Sequence, residues 1–443
     1  MSQHQPKEAW GGQWRAPVLF AIMAALLVFE GLSNGWNGAL GIINMGLISA
    51  ILALGVNVQW GYAGLFNVGV VGFVALGGLA PVLIAMPPTP GAFKAGGLGV
   101  LLALAVAIVT LGLAVWLNKT QAKRIRLIAI PAALIAGFFA YRALLDPAVA
   151  MIEAINPSAT GYLGGLGWPT LLAWPVGALM AAAAAWAIGK TALGLRSDYL
   201  AIATLGIGEI IVSVLRNEEW LGRGVMNVNG IPRPWPVPYE IDLQNDPGFV
   251  ERMASFGLDP VTGSTILVKL LYTGLFAVIL LALIWASEMA LKSPWGRMMR
   301  AIRDNEISAA AMGKHVTKRH LQIFILGSAV CGLAGAMMIT LDGQMTPSSY
   351  NPLRYTFLIW VMVIVGGSGN NWGSVLGGVL IWYLWIKAEA WGPDMMEFVT
   401  AQMSEGSLKQ HLIDSAAHMR LLTMGLILLL VLRFSPRGLL PEK

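Results

Sequence analysis

The sequence predicts an all-α fold, a polytopic transmembrane helical bundle of about 10–12 crossings with some short or broken helices. Three observations predict it. The 443 residues are 56% hydrophobic and only 12% charged, with a mean hydropathy of +0.68, which is more apolar surface than a water-soluble core can bury. Apolar runs near the 20 residues that span a bilayer recur along the whole chain. The 52 glycines carry no collagen period and suit helices that pack closely or break within a membrane.

Taken in order, the spans fall near 17–34, 38–57, 61–86, 97–118, 127–145, 170–189, 199–215, 264–287, 321–342, 356–386 and 420–433. The 356–386 stretch is long enough for two short crossings or one re-entrant pair around GGSGNNWG. The first run is followed by FEGLSNGW rather than a small-residue cleavage site, so it reads as a retained anchor. Short loops rich in Lys and Arg fix an orientation. The segments at 119–126, 190–196, 292–319 and 433–443 all fall on the side of Lys7 and Arg15, which the positive-inside rule makes cytoplasmic. The net charge of +6 is therefore a topology signal and does not imply nucleic acid. The longest opposite loop, 216–262, contains IPRPWPVP, whose alternate prolines require extended chain.

Two glycine-rich segments interrupt the apolar pattern, GYAGLFNVGVVGFVALGG at 61–78 and GGSGNNWGSVLGG at 366–378. Either they let helices approach closely, or they break helices at a depth where transporters bind substrate. Their presence in both halves hints at an internal repeat. Asn57, Gln59 and Asn67 flank the first segment and read either as interhelical hydrogen bonders or as lining of a route. Glu209 lies near the middle of a span, where an isolated charge costs about 2.5–3.5 kcal/mol, so a helix partner, water or protonation must offset it. Glu30 and Arg142 lie nearer span ends and read as snorkelling side chains. Asp198 reads as an N-cap. Cys331, the single cysteine, excludes a disulfide framework and reads as a small packing residue.

The loop SPWGRMMRAIRDNEISAAAMGKHVTKRH is the most basic and most structured of the cytoplasmic loops. Arg297, Arg300 and Arg303 share one helical face, and Trp295, Met299 and Ile302 are expected at the headgroup boundary. Asp304 or Asn305 can cap a second short helix, EISAAAM, which Gly313 can end. Composition alone leaves two readings of this loop, a basic anchor or a small-faced helix awaiting a partner.

The loop resembles the cytoplasmic coupling loop of ABC importer permeases, and its wording is close to the branched-chain amino acid ABC transporter permease family, LivM type. LGVNVQWGYAGLFNVG, LRSDYLAIATLGIGEIIVSVLRN, RAIRDNEISAAAMG with CGLAGAM, VMVIVGGSGNNWGSVLGG and RFSPRGLL follow in the family's order, from about residue 38 onward. The resemblance implies a first segment and anchor at 1–37 and a permease transmembrane domain at 38–443, with a periplasmic loop at 216–262 and a coupling loop at 288–320. It implies residence in a bacterial inner membrane and a route for branched-chain amino acids, with urea or short amides as rival substrates. The implied partners are a second permease subunit in a heterodimer, two ABC ATPase subunits, a periplasmic substrate-binding protein, the small-molecule substrate and the lipid membrane, but no nucleic acid. Coupling falls to Arg300, Glu306, Ala309, Ala310 and Gly313. Gly61, Gly64, Asn67, Glu209, Gly366, Gly367, Ser368 and Gly369 fall near the route. Two departures stand out: Glu306 precedes Gly313 by seven residues where the general importer pattern has six, and GRGVMNVNGIP replaces a Thr-Gly-Gly stretch while keeping Asn229, Gly230 and Ile231.

The chain is not expected to be an enzyme, and no cofactor is expected. Gly189, Lys190 and Thr191 spell the end of a phosphate loop, but an apolar helix with Ala184 at the position of the first glycine precedes them. ATP hydrolysis therefore belongs to separate subunits. His4, His315, His320, His411 and His418 form no zinc pattern, and no metal site is expected. A stand-alone proton-coupled carrier using Glu209 is the rival class. It needs no docking helix and ordinarily has more than one buried carboxylate.

Overall fold

In lipid every backbone amide must be satisfied within the chain, and long runs free of charge meet that demand as helices. The computed structural model describes residues 14–156, 161–401, 403 and 406–442. His4 and Lys7 lie outside them. The first helices are α1 (Arg15–Asn34), α2 (Trp36–Ala63), α3 (Val70–Ala85), α4 (Leu98–Thr120), α5 (Lys123–Glu153), α6 (Thr170–Ala192) and α7 (Ser197–Asn217). Three short helices, α8 (Glu219–Gly222), α9 (Glu240–Asn245) and α10 (Pro247–Ser255), occupy the long loop. They are followed by α11 (Pro260–Lys292), α12 (Pro294–Asp304), α13 (Glu306–Ala311), α14 (Val316–Asp342), α15 (Leu358–Gly366), α16 (Asn371–Thr400), α17 (Ser407–Asp414) and α18 (Met419–Phe434).

Among the described residues, eight helices are long and apolar enough to cross a membrane, and the bent pair α17 and α18 makes up to nine. The apolar helices Val70–Ala85 and Leu353–Gly366 are shorter. The expected count of about 10–12 included these half-length helices and α16, whose C-terminal half carries Lys387, Glu389, Asp394 and Glu397. The chain is a polytopic helical membrane bundle.

The core is built on α2 and α14, which are buried along most of their length and flanked by α3, α6, α11, α15 and α16. Small residues allow the close approach: Cys331 packs on Gly55, and Gly332 packs between Gly77 and Gly177. The α4–α5 hairpin stands apart. Among the described residues it meets the rest through a small cluster at one end, which includes Val100, Ala103, Leu145, Ala148, Ile152 and Trp220. On the opposite side from the basic loops, β1 (Val228–Asn229) pairs antiparallel with β2 (Gln344–Met345). The Ile231 amide donates to the Gly343 carbonyl at 3.1 Å, so the retained Asn229-Gly230-Ile231 stretch ties the long loop to the end of α14. The IPRPWPVP stretch is free of helix, as its prolines require.

Several local expectations change. Glu30 does not snorkel: it is 5% exposed and pairs with Lys387, itself 9% exposed, joining α1 to α16. Arg142 instead pairs with Asp146 one turn away, at 3.0 Å on a half-exposed face. Asp198 sits in the first turn of α7 and makes no cap bond, because Arg196 holds the cap position. Met299 and Ile302 are buried against the bundle rather than placed at the headgroups. His315 and His320 begin α14, His411 lies in α17, and His418 closes the 3-10 turn that links α17 to α18.

Candidate functional site: the basic end of the bundle

Both glycine-rich segments break helices, and the two breaks meet. Helix α2 stops at Ala63, the chain runs without helix through 64–69, and α3 begins beside Thr204 of α7. Helix α15 stops at Gly366 and α16 restarts at Asn371 after a turn. Asn57 on α2 reaches across: its side-chain oxygen accepts from the Gly369 amide at 2.9 Å, and its amide nitrogen donates to Asn371 at 3.4 Å. The Tyr62 hydroxyl lies 3.0 Å from the same Asn371 oxygen, whose amide nitrogen donates to Glu288 at 2.9 Å. Gly61 is required here by space. A Cβ at this position would lie 2.2 Å from the Asn57 side chain and 2.5 Å from the Gly369 nitrogen.

Gly64 ends α2, with Arg303 of α12 next to it, and Gly366 and Gly367 pack on Gly373 and Leu440. Ser368 is half-buried in the turn. Asn67 is buried deeper: it donates to Gln59 at 2.9 Å, accepts from the Gly69 amide at 3.0 Å, and its carbonyl accepts from Trp360 at 3.1 Å. Gln59 in turn donates to the Phe324 carbonyl and Ser328, both at 3.0 Å. Asn57, Gln59 and Asn67 are therefore all spent on bonds within the bundle, as buried polar groups must be.

Beside the breaks, a cavity of about 420 Å³ is lined by Tyr62, Glu288, Arg300, Asn371, Trp372 and Glu442, among others. Arg300 faces this cavity. Arg303, which the sequence had placed on the same face, is the residue tied into the bundle: it donates to the Gly61 carbonyl and pairs with Glu442 at 2.9 Å and Asp304 at 3.2 Å. Partial burial works against its charge, but the two carboxylates outweigh that effect and raise its pKa, so it stays ionised.

The loop at this end forms two helices with opposite roles. Ser293 caps α12, and Met299 and Ile302 fix it to the bundle, each contributing about 1.5–3 kcal/mol by burial. Asn305 caps α13 by accepting from the Ser308 amide at 2.9 Å, and Gly313 ends it at φ +76°, a conformation that glycine adopts without strain. Of the residues expected to couple, Ala309 packs inward while Glu306, Ala310 and Gly313 face outward. Ile307 and Met312 are 83% and 79% exposed. Sequence reasoning missed both, although their position flanking an Ala-rich turn was a usable signal.

Glu209 is elsewhere. It lies on an exposed face of α7 with Ile202, Gly206, Ile210 and Ser213, and it makes no hydrogen bond or ion pair with the described residues. The structure thus brings together the glycines of the two breaks, sets Asn67 behind them and leaves Glu209 apart. Among the described residues no group of three or more His, Cys, Asp or Glu could hold a metal ion.

Residues 127–432 match the family described as the permease component of branched-chain amino acid transport systems. The high-affinity branched-chain amino acid transport system permease proteins LivM of Escherichia coli (strain K12) and Salmonella typhimurium (strain LT2) are each 30% identical over 234 residues, 52% of this chain and 53% of theirs. The probable branched-chain amino acid transport permease protein LivM of Methanocaldococcus jannaschii is 28% identical over 158 residues, 35% of this chain and 42% of that protein. The match spans about half the length of the first two relatives. No solved structure matches. With the family match running from α5 to α18, well over half of the chain, this protein belongs to the family of branched-chain amino acid transport permease components.

Proposed function

We propose that the chain is the membrane-spanning permease subunit of an ABC importer for branched-chain amino acids, driven by ATP hydrolysis in separate subunits. The observation that carries this reading is α13. A six-residue helix at the basic end and the residue that follows it present Ile307 and Met312 almost fully to the outside, next to Ala310 and Ala311. Apolar side chains gain nothing from water, and a small-faced helix with two apolar corners fits a groove on a partner. The positive-inside rule puts this end in the cytoplasm, where ATPase subunits work. A second permease subunit completes the route, and a periplasmic binding protein delivers substrate to the outer loops.

On this reading the inner end of the route lies at the two breaks, with Gly61, Gly64, Asn67, Gly366, Gly367, Ser368 and Gly369 around it. The exposed face of α7 turns to the second subunit. A carboxylate in mid-membrane costs about 2.5–3.5 kcal/mol when isolated, and the described residues give Glu209 no partner, so water of the route or the second subunit supplies one. ATP binding draws the ATPases together, α13 moves with them, and their unequal affinity for inward-open and outward-open states drives the cycle.

The test is reconstitution of the chain with and without its co-expressed partners. Substrate uptake is expected only with ATPase subunits and ATP. Replacing Ala310 and Gly313 by bulky residues is expected to abolish ATP-driven uptake and weaken ATPase association, while insertion persists. Gradient-driven uptake by the chain alone would overturn the reading in favour of a proton-coupled carrier with Glu209 as its proton site.

A further inference from the structure

The 435–442 segment after α18 returns to the bundle and docks on the second helix break. The Leu439 and Leu440 amides donate to the carbonyls of Val365 and Gly366 at 2.8 and 2.9 Å, satisfying two of the last carbonyls of α15. The Asn370 side chain donates to the Pro441 carbonyl at 3.2 Å, and Leu440 is buried. Gly438 lies against Gly367, and Glu442 lies against Gly369. The segment therefore covers the turn 367–370 along its whole length. Its last described residue, Glu442, then meets Arg303 of α12 at 2.9 Å, and the same guanidinium reaches the Gly61 carbonyl at the end of α2.

One side chain thus touches the loop helix, the first break and the segment that holds the second break. We infer that Arg303 and Glu442 form a positioning clamp that carries displacement of the coupling loop to both helix breaks at once. This rests on the ABC-importer reading above. The physical reason is geometric. Helix α12 is fixed to the bundle by Met299 and Ile302, but those apolar contacts are non-directional and permit sliding, whereas a charged fork bound to a carbonyl and a carboxylate is directional. Movement of α12 pulls Gly61 directly and pulls the turn 367–370 through Glu442. Asn57, which bonds the Gly369 amide from α2, keeps the two breaks in step.

The test measures substrate moved per ATP hydrolysed by the complete co-expressed transport assembly in proteoliposomes. Arg303→Gln and Glu442→Gln are each expected to lower this ratio about fivefold, with assembly and ATP hydrolysis retained. The double variant is expected to match the worse single variant, because both remove one shared interaction. Independent roles would instead multiply to about 25-fold. A ratio unchanged in both single variants overturns the clamp, as do effects that multiply, and so does a fall in uptake and hydrolysis by the same factor, which marks a structural role only. Glu442→Gln, on a partly exposed side chain of unchanged size, carries the test if Arg303→Gln does not assemble. Wild-type uptake that needs no ATP would defeat the importer reading itself, an outcome distinct from wild-type ATP-driven uptake that the variants leave intact.

Discussion

The contact between α1 and α16 and the outer face of α7 each put a carboxylate into an apolar helix, and the fold treats them in opposite ways. Glu30 is buried, bonded to Asn34 at 3.1 Å and paired with Lys387. Glu209 faces outward with no partner among the described residues. A charge that the chain neutralises for itself belongs to the architecture of the chain. One that it leaves open requires something from beyond the chain. The basic loop of α12 and α13 repeats the contrast with apolar side chains: Ile302 is buried in the bundle, while Ile307, five residues on, is presented outward.

The largest effect is expected on removing one partner of the buried pair. Glu30→Gln leaves the Lys387 ammonium buried and uncompensated, and is expected to cost about 3–5 kcal/mol in unfolding of the detergent-solubilised chain. A stability equal to wild type would mean that α1 is held some other way. Ile302→Ala comes next, at about 2–5 kcal/mol in the same measurement, since it opens a cavity beneath α12. Ile307→Ala is expected to stay within about 0.5 kcal/mol of wild type while reducing ATPase co-purification. Equal losses at the two isoleucines would erase the distinction between the anchored α12 and the α13 proposed to dock.

Two smaller effects sharpen it. Glu30→Leu combined with Lys387→Met is expected to be as stable as wild type or more so, because a well-packed apolar pair avoids the desolvation cost of the ions. Glu209→Gln is expected to change the stability of the isolated chain by less than about 0.5 kcal/mol, while lowering uptake by the assembled system. A large loss of stability in the isolated chain would mean that Glu209 has a structural partner after all.

Most of the fold was legible in the sequence, because a span is a local property. Twenty apolar residues form a helix in lipid whatever they pack against, and each expected span overlaps a helix in the structure, although those at 61–86 and 356–386 are interrupted by the two breaks. The caps at Asn305 and Gly313 were equally local. The site was legible only in part. The glycine-rich segments flagged both breaks as one of two readings, and the basic loop flagged the exposed short helix α13. The pattern of Arg297, Arg300 and Arg303 did not say which arginine would reach into the bundle, and the expectation that Met299 and Ile302 meet headgroups failed because α12 rolls them onto α2.

Where the helices run, which end is basic, which two glycine-rich segments could break a helix and which family the motifs resemble are all written in runs of neighbouring residues, and so were readable without a fold. The packed bundle alone brings the two breaks together across Asn57, sets Lys387 against Glu30 and lets Arg303 link Gly61 to Glu442. These contacts join residues more than a hundred positions apart, and no periodicity records them. They arise when the close packing of small residues on α2 and α14 brings the remaining helices into register, and the buried polar groups must then find the partners that this packing sets before them.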